Sequence, residues 1–94
     1  MRTIERAGLF KKDYKRVLKQ PRHAKDIEQL LKEALLLLVA DAEMPAAMED
    51  HPLSGDWNGY RDCHLKPDLV LIYKKTDDNV LRLARLGSHS ELFK

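Results

Sequence analysis

Three histidines, His51, His64 and His89, are the side chains of this 94-residue chain best suited to transfer protons. An imidazole has an ordinary pKa of about 6.5, so it donates or accepts a proton near neutral pH. Asp68 lies four residues after His64 and Arg85 four residues before His89, and they could supply a carboxylate and a fixed positive charge. RNA cleavage by the adjacent 2′-hydroxyl needs a proton acceptor, a proton donor and a cation beside the phosphate. These residue types therefore fit cleavage of RNA without a cofactor.

Each candidate also has a structural interpretation that the sequence leaves open. His51 could organise a turn, and His64 could be a half-exposed strand residue. Asp68 could be a turn residue, and Arg85 could form a surface ion pair with Glu91. The catalytic interpretation therefore depends on whether these residues meet in the fold.

Phe93 lies four residues after His89, so the two side chains would share one face of a short helix. An aromatic ring there could stack on an unpaired RNA base, or it could plug the tail into the core. His23, the fourth histidine, is expected on the surface at the start of a helix, without a function.

The histidines lack the spacing of a metal site. The chain has no HExxH pattern and no CxxC pair. His64 and Asp68 are four residues apart, but Pro67 opposes the helix that would bring them onto one face. We therefore expect no metal and no other cofactor.

Charge is divided unevenly along the chain, although the formal net charge is only +2. Residues 1–32 carry ten Lys and Arg against four Asp and Glu, whereas residues 33–58 carry six acids and no Lys or Arg. A basic first third is compatible with a phosphate backbone, but charge distribution alone favours a solvated helix surface. The candidates for RNA binding in this third are Lys11, Lys12 and Lys15.

The size and composition of the chain predict a single domain, residues 1–94, that is soluble and cytoplasmic. Cys63 is the lone cysteine and cannot form an internal disulfide. The first residues lack the apolar segment of a signal peptide. The longest apolar run, residues 34–40, is far shorter than the roughly 20 residues that cross a bilayer, so we expect no membrane contact.

Helices and strands in a simple order must position these side chains. Apolar residues at helical spacing predict one helix over 9–18 and a second from 23–26 to 41–44, separated by Gln20-Pro21. Short apolar segments predict strands at 3–6, 60–65, 69–73 and 80–86, with a hairpin turn over 76–79.

The segment 69–73 is apolar at every position, which indicates a central strand covered on both faces. Ser88 could cap a short C-terminal helix through Phe93. The order β-αα-βββ predicts an α+β fold, in which a helical hairpin packs on one face of a small, mostly antiparallel sheet. The opposite face is then free for function.

An ordered set of short motifs, mainly in residues 48–93, resembles the YafQ family of the RelE/ParE superfamily. Members of this family are toxins of type II toxin–antitoxin modules. The helical half of the chain matches mainly in layout. The motifs are Asp50-His51-Pro52-Leu53, Gly59-Tyr60-Arg61-Asp62, His64 with Pro67-Asp68, Leu71-Ile72-Tyr73, Arg85-Leu86-Gly87-Ser88-His89 and Leu92-Phe93.

The resemblance implies a RelE-like fold and an mRNA interferase, a ribosome-dependent endonuclease that enters the ribosomal A site and cleaves translated mRNA. It implies a cognate antitoxin as partner, with operator DNA bound only indirectly through the antitoxin complex. By matching position, its functional residues are the catalytic histidines His51, His64 and His89, the catalytic Asp68, Arg85 of the last strand and the tail aromatic Phe93.

One position departs from the family pattern, because the residue after the aspartate, often Trp, is Leu69 here. Phe93 or Tyr60 would then supply the aromatic contact with RNA. Two alternatives stay open. One is a toxin resembling the ParE branch, which acts on DNA gyrase and needs no catalytic histidines. The other is a non-catalytic partner-binding domain whose interface is the basic helix pair.

Overall fold

The structure, a computed structural model, describes residues 1–93. Short 3₁₀ turns at Ala46–Met48 and Gly55–Trp57 flank the second strand. The strands are β1 (Thr3–Arg6), β2 (His51–Pro52), β3 (Arg61–Lys66), β4 (Leu69–Lys75) and β5 (Val80–Gly87). The helices are α1 (Gly8–Leu18), α2 (Pro21–Ala24), α3 (Ile27–Val39) and α4 (His89–Leu92).

The strands form one sheet in the order β1-β5-β4-β3-β2. Neighbouring strands from β2 to β5 are antiparallel, whereas β1 runs parallel to β5. The first five residues of β4 are buried, as its uninterrupted apolar run predicts. The predicted α+β class and the mostly antiparallel sheet are therefore confirmed.

The main core lies between the sheet and the helices. α1 and α3 each contribute a stripe of buried side chains at helical spacing. The stripe of α1 consists of Phe10, Asp13 and Val17. Asp13 is the one charged member of these stripes. The apolar side chains that meet the stripes from the sheet include Cys63, Leu65, Leu69, Leu71, Tyr73, Leu81, Leu83 and Leu86.

The other side of the sheet, which α1 and α3 do not cover, is called the open face. Its smaller apolar cluster consists of Val70, Ile72, Ala84 and Leu92. Side chains of cross-strand partners share a face. Asp62, which pairs with Ile72, and His64, which pairs with Val70, therefore lie on the open face.

Three elements differ from their predicted form. A short helix, α2, begins at Pro21 where a turn was expected, because proline suits the first helical position. α3 ends at Val39, before the predicted boundary, and Asp41 adopts a left-handed φ of 53° beyond it. β2 was not predicted, because two residues form a strand only through their partner β3.

Within residues 1–93 no helix is both long enough and apolar enough to span a bilayer.

Candidate active site

The carboxylate of Asp62 occupies the centre of the site. β2 lies antiparallel to β3 and brings His51 opposite Asp62. The Nδ1 atom of His51 is 3.0 Å from Oδ1 of Asp62 and 2.8 Å from the carbonyl oxygen of Glu49. Asp62 is 1% exposed, whereas the His51 side chain is 52% exposed. A buried carboxylate thus faces an imidazole whose other edge is open to solvent.

The contact with Glu49 fixes the tautomer of neutral His51. A carbonyl oxygen only accepts hydrogen bonds, so Nδ1 carries the proton and Nε2 holds the lone pair. Because this N–H is directed at Glu49, Oδ1 of Asp62 has no hydrogen-bond partner within residues 1–93. Asp62 can still stabilise the imidazolium that forms when Nε2 takes a proton. The geometry therefore suits His51 to accept protons.

His64 and His89 complete the group around Asp62. His64 lies two residues after Asp62 on the same face of β3, and its Nδ1 atom is 3.8 Å from Oε2 of Glu49. His89 is the exposed first residue of α4. All three histidines lie close enough to Asp62 that a positive charge on any of them would stabilise its carboxylate. The structure thus brings the three predicted histidines together around a carboxylate that was not among the predicted site residues.

Burial raises the pKa of Asp62 above the ordinary value for an aspartate, while the three neighbouring histidines oppose that rise. A desolvated carboxylate interacts strongly with a nearby positive charge because little water screens it. Asp62 is therefore suited to stabilise a histidine that becomes protonated during a reaction.

Asp50 anchors the segment that carries His51. Its Oδ1 atom accepts a hydrogen bond from the hydroxyl of Tyr73, and its Oδ2 atom accepts one from Nη2 of Arg61 at 3.1 Å. Burial and the bond to Asp50 raise the pKa of Tyr73, so the phenol stays protonated. Contacts with two strands thus hold the backbone beside His51, which fixes the position of His51 against Asp62.

A capping box orients α4 and confirms the predicted Ser88 cap. The Ser88 hydroxyl accepts from the Glu91 N–H at 3.2 Å, and the Ser88 N–H donates to Oε1 of Glu91 at 2.8 Å. The rings of His89 and Phe93 are 4.6 Å apart. Phe93 is partly buried against the open-face cluster, so the ring anchors the tail and keeps part of its surface accessible.

The aromatic side chains of the open face lie at its margin. Trp57 and Tyr60 meet edge to face at 5.2 Å, and Nζ of Lys74 lies 5.4 Å from the centre of the Tyr60 ring. Leu69, at the position where the family often has Trp, is 0% exposed and belongs to the main core. It presents no surface to RNA.

Asp68 lies apart from the histidine group, at the turn between β3 and β4. Its Oδ2 atom is 3.1 Å from Nη1 of Arg22 and 4.0 Å from Nε2 of His23, its ion-pair partners among residues 1–93. The surface position predicted for His23 is wrong. His23 is 1% exposed because α2 directs it inward, and burial lowers its pKa. Asp68 therefore links α2 to the sheet.

Arg85 is held by Asp13 of α1, which occupies one side of its guanidinium group. The Nε atom is 2.7 Å from Oδ2 of Asp13, and Nη2 is 3.1 Å from Oδ1. Asp13 does not engage Nη1, the remaining nitrogen. The surface ion pair between Arg85 and Glu91, the alternative for Arg85, is not formed. Glu91 pairs instead with Arg16, whose Nε atom is 3.2 Å from Oε2 of Glu91.

The predicted RNA-binding lysines, Lys11, Lys12 and Lys15, are exposed on α1, on the opposite side of the sheet from the histidines. Lys11 and Lys15 flank a groove that is lined by Phe10, Tyr14 and Leu31. They form a surface of their own and are not part of the histidine site.

Sequence reasoning missed two contributors to the site. Asp62 precedes His64 by two residues in a predicted strand, and this spacing places both side chains on one face, so a usable signal existed. Glu49 gave no signal, because its contact with His51 uses the backbone carbonyl.

The chain closely matches known toxins. The family model described as "Bacterial toxin of type II toxin-antitoxin system, YafQ" matches residues 2–94. The mRNA interferase toxin YafQ of Escherichia coli strain K12 is 48% identical over 92 residues, which cover 98% of this chain and 96% of that protein.

Two solved structures share the fold over nearly the whole chain. One is YafQ in the E. coli DinJ-YafQ complex, with a TM-score of 0.82, 47% identity and complete coverage of both chains. The other is a metal-bound toxin from Helicobacter pylori, with a TM-score of 0.88, 42% identity and coverage of 99% of this chain and 100% of that one.

In residues 1–93 of this chain, no three His, Cys, Asp or Glu side chains are arranged to hold a metal ion. The features that do match are the RelE-like sheet with its helical layer and the nearly full-length similarity in sequence. The chain belongs to the YafQ family of bacterial toxins of type II toxin–antitoxin systems.

Proposed function

We propose that this protein is a cytoplasmic mRNA interferase that cleaves translated mRNA in the ribosomal A site and so stops translation. The observation that carries the proposal is the His51–Asp62 contact with His64 and His89 beside it on the open face. The name of the E. coli relative, mRNA interferase toxin, supports the same activity.

The reaction begins with attack of the 2′-hydroxyl on the adjacent phosphorus. Nε2 of His51 takes the hydroxyl proton while the 2′-oxygen–phosphorus bond forms and the bond to the 5′-oxygen breaks. Asp62 stabilises the resulting imidazolium. A protonated His64 or His89 gives a proton to the departing 5′-oxygen. The products are a 2′,3′-cyclic phosphate, which water can open to a 3′-phosphate, and a 5′-hydroxyl end.

Other residues bind the RNA around this reaction. The Nη1 atom of Arg85, which Asp13 does not engage, is proposed to contact the phosphate and stabilise its developing charge. Asp68, four residues after His64 at the end of the β3–β4 hairpin, is proposed to orient a histidine or accept a proton once RNA is bound. Phe93 is proposed to stack on a base.

The partner proposed for this toxin is a cognate antitoxin. The E. coli relative crystallises with DinJ, and the high identity over its full length supports a partner of the same class. Operator DNA would be bound only through the toxin–antitoxin complex.

The cleavage proposal predicts a specific pattern of cuts. Induction of the protein in a bacterial host should arrest growth and produce mRNA breaks that keep to the reading frame, because the A site presents codons. Primer extension on a translated message and on the same message without a start codon measures this. Growth arrest without breaks in the translated message would favour the gyrase alternative, and breaks in both messages would exclude ribosome dependence.

The exposed lysines of α1 are proposed to bind ribosomal RNA. Charge reversal at Lys11, Lys12 and Lys15 should weaken co-sedimentation with ribosomes about tenfold or more at low salt, and less at high salt, because the contact is electrostatic. Charge reversal of Lys25 and Lys32, which are exposed outside α1 and have no proposed role in RNA binding, is the control. Equal co-sedimentation of the α1 variant and the wild type at every salt concentration would exclude this contact.

A further inference from the structure

Two side chains of α1 hold the end of β5 where β1 no longer reaches. Pairing between β1 and β5 stops at Arg6 and Leu83. Farther along β5, the Leu86 N–H donates to Oδ2 of Asp13 at 2.9 Å, and Nη2 of Arg16 donates to the Leu86 carbonyl at 2.9 Å. Side chains therefore take the place of a neighbouring strand at this edge.

Asp13 is 2% exposed and remains ionised. Burial alone would raise the pKa of its carboxyl group, but hydrogen bonds from Arg85, the Leu86 N–H and Arg16 outweigh burial and lower the pKa. The Nη1 atom of Arg16 is 2.7 Å from Oδ1 of Asp13. A buried charge with this many donors tolerates few arrangements, so Asp13 fixes both guanidinium groups.

From this anchor, Arg16 passes over Gly87 to reach α4. Its Nε atom lies 3.2 Å from Oε2 of Glu91, close enough for an ion pair. A Cβ atom on Gly87 would lie 2.7 Å from Nη2 of Arg16 and 3.1 Å from Oε1 of Glu91. Glycine at position 87 therefore makes room for the contact. Asp13, Arg16, Gly87 and Glu91 are called the α1 clasp.

The α1 clasp acts on the element that carries His89 and Phe93. α4 has four residues, too few to hold a helical conformation without outside contacts. The same Glu91 carboxylate that Arg16 contacts also closes the capping box with Ser88. The α1 clasp therefore fixes the position of α4 against the sheet together with Leu92, which is buried in the open-face cluster.

We infer that Asp13 and Arg16 are positioning residues for RNA cleavage, which orient His89 and Phe93 through Gly87 and Glu91. This inference rests on the proposed function, because it concerns the same site. The histidines lie on the open face, whereas Asp13 and Arg16 belong to the helical layer. The two residues thus act through α4 and not by touching the substrate.

Gly87→Ala breaks the α1 clasp without removing a charge. Gly8→Ala is the matched control, because a Cβ atom at Gly8 meets nothing within 4 Å. Gly87→Ala should lower the maximal single-turnover rate of cleavage on ribosomes about fivefold to tenfold, with the half-saturating toxin concentration unchanged. Gly8→Ala should keep the wild-type rate. If Gly87→Ala does not fold, Arg16→Met tests the same contact.

The effect should be smaller when His89 is absent. In a His89→Ala background, Gly87→Ala should cause a clearly smaller further loss, because only the part of its effect that acts through Phe93 remains. An equal loss with and without His89 would mean that the α1 clasp does not act through this histidine, and it would overturn the inference.

A readout without RNA separates this inference from the proposed function. In Gly87→Ala, the imidazole NMR signals of His89 should shift or broaden, while those of His51 stay at their wild-type positions. Unchanged His89 signals would refute the inference whatever the activity. Shifted signals in a protein whose wild type cleaves no mRNA would refute the proposed function and leave the positioning role standing.

Discussion

Replacing His51 by alanine is expected to lower single-turnover cleavage of ribosome-bound mRNA about 100- to 10,000-fold, the usual contribution of a positioned proton-transfer group. The Nε2 lone pair of His51 is exposed and oriented, because Nδ1–H is directed at the carbonyl of Glu49. Loss of this group removes the proposed proton acceptor. The His51 side chain makes few packing contacts, so the thermal unfolding midpoint should stay close to that of the wild type.

The control for this variant is Asp56→Ala, which removes an exposed side chain from the neighbouring 3₁₀ turn. It should cleave at the wild-type rate. Measurement of the His51→Ala rate from pH 5 to 9 adds a second check, since the limb of the pH profile that reports the proton acceptor should disappear. A folded His51→Ala protein that cleaves at full rate would remove His51 from the mechanism.

The sequence predicted those helices and strands whose own apolar residues follow a clear helical or strand pattern. α1 was predicted within one residue because its apolar positions repeat at helical spacing, and β4 because its run of apolar residues is uninterrupted. β2 was missed because a two-residue strand has no pattern of its own. The early end of α3 was missed because the apolar pattern continues close to the residue that adopts a left-handed conformation, Asp41.

The site was predictable in its histidines but not in its ionic partners. His51, His64 and His89 are recognised by residue type and by family resemblance. Contacts between elements far apart in the chain decide the ionic pairs. Arg85 is held by Asp13, 72 residues away, and nothing near either residue in the sequence indicates this pair.

Replacing Asp62 by asparagine should change activity and stability in opposite directions. The rate of cleavage should fall about 10- to 100-fold, because the imidazolium of His51 loses its negative neighbour. The fall should be smaller than in a triad where an aspartate alone sets the tautomer, since the Glu49 carbonyl still holds Nδ1–H. Stability at pH 7 should rise, because a buried charge without a hydrogen bond on Oδ1 is removed.

The pH dependence of stability gives the sharper test of this variant. Burial raises the pKa of Asp62, so the folded wild type holds its proton more tightly than the unfolded chain does. The stabilisation from this group is therefore full below the ordinary aspartate pKa and is lost as the pH rises through the raised value.

The gain in stability of Asp62→Asn over the wild type should therefore be larger at pH 7 than at pH 4 in urea unfolding experiments. Asp56→Asn, which changes an exposed carboxylate in the 3₁₀ turn before β3, is the control. An Asp62→Asn protein that is less stable than the wild type at pH 7 would mean that the Asp62 carboxylate stabilises the fold, which would contradict this prediction.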